Sequence, residues 1–401
     1  MKIDIKSLLL GIVTAILFSA FIYLAEYNLT IKLINSIFGL MAFAMFLYIP
    51  KKSILYAGFF IGIFWFYWVG YSFKYQNVAY MEPIIIFVFA FFYLLFFSPL
   101  YFTKNALYRA ILLFGLSFIE PFHNNWMQMN LLFVDSYIGV YKYQLLSLLL
   151  ALSLPSLLRG RYKYTPLMLL LFSINYGYGV QKDAPLKIKL IQTNISQDGK
   201  WLRKNLLPTV SMIFQKIQEA KANHYDVIIF PESVFPIYMN QNPKILQKLQ
   251  EDSKSITIVA GSLLEENFHH YNVTYMFDKG KYTIAKKLVL VPFGEYIPLP
   301  QFARKIINDT FFSGASDFVT AKKPTDFIIK GVKFRNAICY EATSKELYEG
   351  NFDFMIATSN NAWFTPSIEP TLQNLLLKYY ARQHGVTIYH SANYKGTGVV
   401  K

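Results

Sequence analysis

Three side chains that could share one reaction stand where apolar runs end: Glu232 after Asp226–Phe230, Lys287 in the run leading to Glu295, and Cys339 after Asn336-Ala337-Ile338. A thiol that attacks a carbonyl needs a base for its proton and a donor for the oxyanion. Glu, Cys and Lys are residue types that fill those roles. Singly, each has an ordinary explanation: a lone cysteine is a small buried hydrophobe, a Glu after a strand caps the next helix, and Lys286-Lys287 is solvated surface charge. Their combination points to nucleophilic catalysis. A fourth run, Phe354–Thr358, ends in Ser359-Asn360-Asn361-Ala362-Trp363-Phe364 and adds an Asn/Trp wall. Cys339 is the only cysteine, which excludes an intrachain disulfide framework and a cysteine-rich zinc site. His123 by itself makes no metal site.

These runs belong to a region that alternates short β segments with helical ones, beginning after the linker Gln181-Lys182-Asp183-Ala184-Pro185, which with Leu186 spans 181–186. Lys187–Gln192 alternates and predicts a strand, Pro208–Asn223 has helical spacing, and Asp226–Phe230 reads as a buried strand. Further strands are expected near Ile256–Ala260, over Asn272–Phe277 and over Tyr282–Val291, the last two joined by the turn Asp278-Lys279-Gly280-Lys281. Another strand pair turns at Lys330-Gly331, its second arm ending at Cys339, and Thr371–His384 reads as a helix. Residues 187–401 are therefore expected to form an α/β layered domain, with reacting groups where strands end.

Residues 1–180 are of another kind. The chain as a whole is 54% hydrophobic and only 16% charged, against roughly 25% charged in an ordinary soluble domain, which excludes disorder and a plain cytosolic enzyme. Leu8–Leu24, Leu33–Ile49, Ile54–Phe73 and Ile84–Leu100 each supply the roughly 17–25 mostly apolar residues that cross a bilayer as a helix. Leu107–Ile119, Tyr143–Leu158 and Pro166–Val180 bring the expectation to about seven membrane helices. Lys2, Lys6, Lys51, Lys52, Lys104, Arg109, Arg159, Arg161 and Lys163 fall on one side of that arrangement, and only Lys32, Lys74 and Lys142 on the other. Because cations are retained in the cytoplasm, the N-terminus is expected there and everything after Val180 outside. A cleaved signal peptide is the competing reading of the first run, disfavoured by the similar runs that follow. The formal charge of +15 suits basic cytoplasmic loops, and no nucleic-acid partner is expected. The exterior loop Glu120–Gln128 reads as interfacial anchoring by Trp126 or as substrate contact.

The order Glu, Lys, Cys within Phe230-Pro231-Glu232-Ser233, Lys287 and Ile338-Cys339-Tyr340-Glu341 resembles the carbon–nitrogen hydrolase (nitrilase) superfamily. Within it, the chain is more closely similar to the apolipoprotein N-acyltransferases, the family's integral inner-membrane members. The similarity lies in Leu288-Val289-Leu290-Val291-Pro292-Phe293-Gly294-Glu295-Tyr296-Ile297-Pro298, in Ala337–Glu341, in Thr358–Phe364 and in Gln192–Trp201. It covers nearly the whole chain and implies a multispanning α-helical domain followed by an exterior nitrilase-like αββα sandwich. Asn361 and Thr365 stand where the family often has Asp and Gly, and Gln383, Val386 and His390 replace a Glu and two Arg. The resemblance also leads one to expect closing strands and a last membrane helix, which the sequence ending at Lys401 is expected to lack.

The resemblance implies roles for each residue. Glu232 would take the thiol proton, Cys339 would attack an acyl ester, and Lys287 would stabilise the oxyanion, giving a thioester acyl-enzyme in a ping-pong cycle. The acyl donor would be a membrane phospholipid, and the acceptor the α-amino group of the N-terminal diacylglyceryl-cysteine of an apolipoprotein; no metal or other cofactor is required. Lys287 is preferred to Lys286 because it lies eight residues before Glu295, the spacing of the family motif, whereas Lys286 faces the other side of an alternating strand. Glu295 is expected to hold that lysine or the base, and Tyr340 and Glu341 to position the nucleophile's turn. Trp363, Phe364, Phe311 and Phe312, with Asn360, are the expected substrate-binding wall. The expected setting is the bacterial inner membrane, as a monomer with its catalytic domain in the periplasm. A membrane-anchored amidase or nitrilase acting on a small amide or nitrile would use the same triad. A noncatalytic receptor or transporter would leave the triad unexplained.

Overall fold

The computed structural model describes residues 4–76, 78–120, 126–177, 181–291, 295 and 318–401. The chain divides into two units, residues 1–178 with 366–379, and residues 179–365 with 380–401.

In the first unit, long apolar runs form helices. α1 (Ile5–Glu26) begins at Asp4, whose carboxylate accepts from the Ser7 N–H at 3.3 Å and the Ser7 hydroxyl at 2.7 Å. α2 (Lys32–Tyr48), α3 (Lys51–Phe66), α4 (Glu82–Phe97) and α5 (Ala106–Leu116) follow. Among the described residues three helical stretches are long and apolar enough to cross a membrane, Ile5–Glu26, Lys51–Tyr75 and Ala79–Phe102; Lys32–Tyr48 and Ala106–Leu116 are apolar but shorter. The expectation of about seven spans is not confirmed, and prolines account for its last two members. α6 (Lys142–Ser153) has 12 residues, a rise of roughly 18 Å, and gives way to a 3-10 turn containing Pro155. Gly160–Leu169 is a 3-10 helix around Pro166, followed by a single α turn, α7 (Leu170–Ser173). Ile174 already pairs with Ile138 in an isolated bridge.

Packing in this unit depends on small residues and rings. A Cβ on Gly58 would lie 2.6 Å from the Tyr93 carbonyl oxygen, and one on Gly62 2.4 Å from that of Phe89, so this small-xxx-small pair lets α3 and α4 meet backbone to backbone. Phe18 packs edge-on against Phe43, Phe46 and Phe97. Arg109 is buried and works as a cap: its guanidinium donates to the carbonyls of Phe46, Leu47, Ile49 and Thr103, satisfying the end of α2. Within the same unit Lys378 pairs with Asp135 at 2.8 Å, and the Thr371 hydroxyl bonds Glu26.

The second unit is built on two sheets. The first has the order β1 (Ile188–Leu190), β2 (Val227–Ile229), β3 (Thr257–Glu266), β4 (His269–Asp278) and β5 (Lys281–Lys286). β1, β2 and β3 run parallel, linked by crossovers containing the one-turn helix α8 (Gln197–Lys200) with α9 (Arg203–Ala222), and then α10 (Pro243–Asp252); β4 and β5 are antiparallel additions. The second sheet has β7 (Val332–Ile338), β8 (Phe354–Asn360) and β9 (Ile388–Asn393) in parallel, edged by antiparallel β6 (Asp326–Ile329) and β10 (Gly398–Val400). α11 (Glu369–His384) connects β8 to β9.

Alternation assigns the layers. Val227 and Ile229 of β2 pack with Phe327, Phe334, Ile356 and Tyr389 of the other sheet, while Ile228 and Phe230 pack with Ile213 and Ile217 of α9 and Leu249 of α10. A strand covered on both faces must be apolar at every position, and Val227–Phe230 has that pattern. The turns after β4 and β6 place Lys279-Gly280 and Lys330-Gly331 at positive φ, the geometry that tight hairpins need. Some boundaries differ from the sequence reading. α9 starts five residues before Pro208, β5 stops at Lys286 rather than Val291, and β9 and β10 lie beyond the strands expected from the sequence.

Candidate active site

After β2 the chain turns through Pro231-Glu232-Ser233, with Ser233 at φ 47°. Gly261 of β3 lies directly against this turn, where a Cβ would be 2.3 Å from Ser233 N and 2.7 Å from Glu232 Cα. Glycine there allows one strand's main chain to brace the neighbouring strand's end. Glu232 is 6% exposed, and its carboxylate accepts from Asn272 Nδ2 of β4 at 2.7 Å.

Lys287 follows the last residue of β5, its N–H still bonded to the Asn272 carbonyl at 3.0 Å. It is 1% exposed, with its ammonium 2.8 Å from Glu295 and 3.7 Å from Glu232. Asn272 Nδ2 also reaches Glu295 at 3.4 Å, and Glu295 Oε2 accepts from the Val291 N–H at 2.9 Å. Burial pulls the Lys287 ammonium down, but the charges of Glu295, Glu232 and Cys339 outweigh it and hold the group well above the ordinary lysine range. A permanently charged donor is thus fixed in a water-poor site. Lys286 lies toward the surface, paired with Glu266 and 4.0 Å from the centre of the Tyr271 ring.

β7 ends at Ile338, and Cys339 opens the 3-10 turn Cys339–Thr343 at φ 55°, partly exposed. A non-glycine residue held at positive φ is strained, and the surrounding bonds must fix it. Glu341 supplies them: Oε1 accepts from the Ile338 N–H at 2.7 Å, and Oε2 from the N–H groups of Leu288 at 2.6 Å and Val289 at 3.1 Å. One buried carboxylate therefore ties the cysteine's turn to the segment that follows Lys287. Burial raises Glu341 to about 7 against the opposing Lys287 charge and those three N–H groups. Tyr340 is buried, and its carbonyl accepts from Thr343 Oγ1 at 2.7 Å.

Asn360 ends β8 with its amide engaged at both ends, donating to Gln197 Oε1 at 3.0 Å and accepting from Asn393 at 2.8 Å. Asn361 is also buried and donates to the Lys395 carbonyl. Trp363 and Phe364 are half-buried on the 3-10 turn Asn361–Phe364. Phe311 and Phe312 lie outside the described residues, as do the Pro292-Phe293-Gly294 and Tyr296-Ile297-Pro298 parts of the motif around Glu295. Among the described residues no three His, Cys, Asp or Glu side chains gather as a metal-ion site.

Three neighbours of this site were missed in the sequence. Asn272 sits in a strand where alternation marks only its face, and Gly261 looks like any strand glycine. Lys200 is 2% exposed and donates to the Glu232 carbonyl at 3.1 Å, although the stretch Gln197-Asp198-Gly199-Lys200 reads as a polar loop. The signal available for Lys200 was its place in the opening-loop segment Gln192–Trp201.

Residues 5–176 match the family model described as the apolipoprotein N-acyltransferase integral membrane domain, and residues 187–391 match that of carbon-nitrogen hydrolase. The chain is 43% identical over 397 residues to an apolipoprotein N-acyltransferase of Wolinella succinogenes, covering 98% of this chain and 96% of that one. Proteins of the same name from Helicobacter hepaticus and Helicobacter pylori are 36% and 37% identical, over 94% and 90% of this chain and 96% and 86% of their own. A solved carbon–nitrogen hydrolase superfamily protein from Xanthomonas campestris aligns at 14% identity and a TM-score of 0.40, over 52% of this chain and 76% of its own.

Proposed function

The chain belongs to the apolipoprotein N-acyltransferase family, and from that premise we propose a ping-pong transfer of a fatty acyl chain through Cys339. Glu232 takes the proton from the thiol as Sγ bonds to the ester carbonyl carbon of a phospholipid, and the carbonyl oxygen becomes negative beside the Lys287 ammonium. The ester C–O bond then breaks, the departing alkoxide takes the proton from Glu232, and a lysophospholipid leaves a thioester behind. In the second half the free α-amine of a diacylglyceryl-modified apolipoprotein attacks the thioester carbonyl. Glu232 accepts the N–H proton and returns it to sulfur as the C–S bond breaks, giving an amide and the starting thiol. Glu295 and Asn272 hold the cation and the base in register, and Glu341 holds the cysteine's turn.

The observation that carries this reading is the Lys287 ammonium, buried between the carboxylates of Glu232 and Glu295 and within the electrostatic reach of Cys339. Such a donor is worth most where water is scarce. The chain's family and apolar helices make it a bacterial membrane protein. We further propose that it resides in the inner membrane as a monomer, with a cytoplasmic N-terminus and a periplasmic catalytic unit, on the strength of the loop cations. The test is intact-mass analysis of the purified chain after incubation with a defined phospholipid. A single acyl adduct on Cys339, absent in Cys339→Ala and discharged by a diacylated lipopeptide amine, is the expected result. An adduct that forms equally in Cys339→Ala would overturn it, and discharge by water alone would favour the amidase reading.

A further inference from the structure

Lys200 is a buried cation with no place in the mechanism above. It ends the one-turn helix α8, and that helix is pinned from two sides. Asn360 donates to Gln197, Asn393 donates to Asn360, and Thr193 Oγ1 donates to Asn393 Oδ1 at 2.8 Å, which joins the loop to the ends of β8 and β9. Asn205 Nδ2 donates to the Gly199 carbonyl at 2.8 Å. So secured, Lys200 is buried to 2% exposure and directs its Nζ at the main-chain carbonyl of Glu232, 3.1 Å away. A lysine is rarely buried without a carboxylate at its tip, and this one bonds the backbone of the residue that carries the base.

We propose that Lys200 is a positioning residue for acyl-enzyme formation, its ammonium clamping the Glu232 turn and holding a second positive charge beside the Glu232–Cys339 pair. This rests on the Glu232, Lys287 and Cys339 reading. Two restraints fix the Glu232 backbone: Gly261 from β3, which leaves no room for the turn to shift one way, and Lys200, which holds its carbonyl. Burial draws Lys200 down to about 8, opposed by the charges of Glu232 and Cys339. The other charged groups of the cluster are Lys287, 3.7 Å from Glu232, Glu295, paired with Lys287, and Glu341 at the cysteine's turn, which burial raises to about 7 and whose titration is common to both proteins and cancels in the ratio of their rates. Lys287 stays charged far into alkali, so Lys200 is the cation that is lost as the pH passes about 8. A neutral amine bonds a carbonyl more weakly than an ammonium does.

The experiment compares pre-steady-state acyl-enzyme formation, read by intact mass on the detergent-purified full chain with phospholipid, for wild type and Lys200→Met between pH 6 and 10. The expected result is a rate about tenfold or more below wild type at pH 7, with the ratio of the two rates narrowing as the pH rises through 8. Parallel profiles, or equal rates, would overturn the inference, because a merely structural role lowers thermal stability without changing the pH dependence. Should Lys200→Met fail to fold, Lys200→Arg decides: its guanidinium does not titrate, so its profile should lack the wild-type decline above pH 8, and a retained decline sinks the proposal. Wild type that forms no Cys339 adduct counts against the triad. An acylating wild type with an unaffected Lys200 variant counts against Lys200 alone.

Discussion

Replacing Lys287 with methionine separates the chemical from the structural work of the buried cluster. The ammonium is 2.8 Å from Glu295 and 3.7 Å from Glu232, and all three side chains are largely shielded from water. Lys287→Met keeps most of the side-chain volume but leaves two carboxylates facing each other across Asn272. Removing one partner of a buried pair typically costs about 3–5 kcal/mol of stability. Loss of a single oxyanion donor costs about 3–4 kcal/mol in the barrier, or about 100- to 1000-fold in rate. Lys286→Met is the internal control, because its pair with Glu266 is surface-exposed and worth about 0–1 kcal/mol. The assay is the time course of acyl-enzyme formation by intact mass, with thermal unfolding in detergent measured alongside. The double variant Lys287→Met/Glu295→Gln removes the stranded charge and should regain much of the lost stability while remaining as slow as the single variant. If the double variant recovered acylation as well, the cation would be structural only. If Lys286→Met were inactive and Lys287→Met active, the assignment of the two lysines would be wrong.

Gly261→Ala should reduce acyl-enzyme formation at least about tenfold in the same assay, since its Cβ would overlap the main chain of Glu232 and Ser233; wild-type rates would refute the bracing role. His390 is buried between Ser359 Oγ and the Gly396 carbonyl, and burial holds it down to about 4. Between that value and about 6.5 the unfolded chain binds the extra proton, so stability should fall by about 3 kcal/mol as the pH drops through this window. His390→Gln should flatten that slope in denaturant titrations, and an unchanged slope assigns it elsewhere. Trp363→Ala, on the half-buried turn after β8, should still form the thioester but pass it slowly to a lipopeptide acceptor, so that adduct accumulates; equal loss of adduct and product would mark Trp363 as core. Gly62→Leu should lower the unfolding temperature by forcing α3 from α4, whereas an unchanged temperature would show that the crossing tolerates a side chain.

The local features were legible in the amino-acid order. Apolar alternation marked β1, a continuous apolar run marked β2, Lys279-Gly280 and Lys330-Gly331 marked the hairpins, the second of them leading into β7, and polar residues at strand ends singled out Glu232, Lys287 and Cys339, because period and turn chemistry act over a few neighbouring residues. The separation of Lys286 from Lys287 was also local, since successive side chains of a strand point oppositely. What the order of residues left open concerns groups brought together from distant segments. Hydropathy counted about seven spans, but where a helix stops depends on its prolines and its packing, and the stretches over Lys142–Ser153 and Gly160–Ser173 are too short or too broken to match that count. Asn360 read as part of a substrate wall, yet its amide is engaged by Gln197 and Asn393. Lys200, in the loop of the Gln192–Trp201 segment, is buried against Glu232, and Asn272, in an expected strand, and Gly261, just past the end of another, also lie against Glu232. Hydrophobic period reports which face of an element turns inward. Only the assembled sheets decide which polar groups meet there, because the partner that makes burying a charge or an amide tolerable comes from another strand.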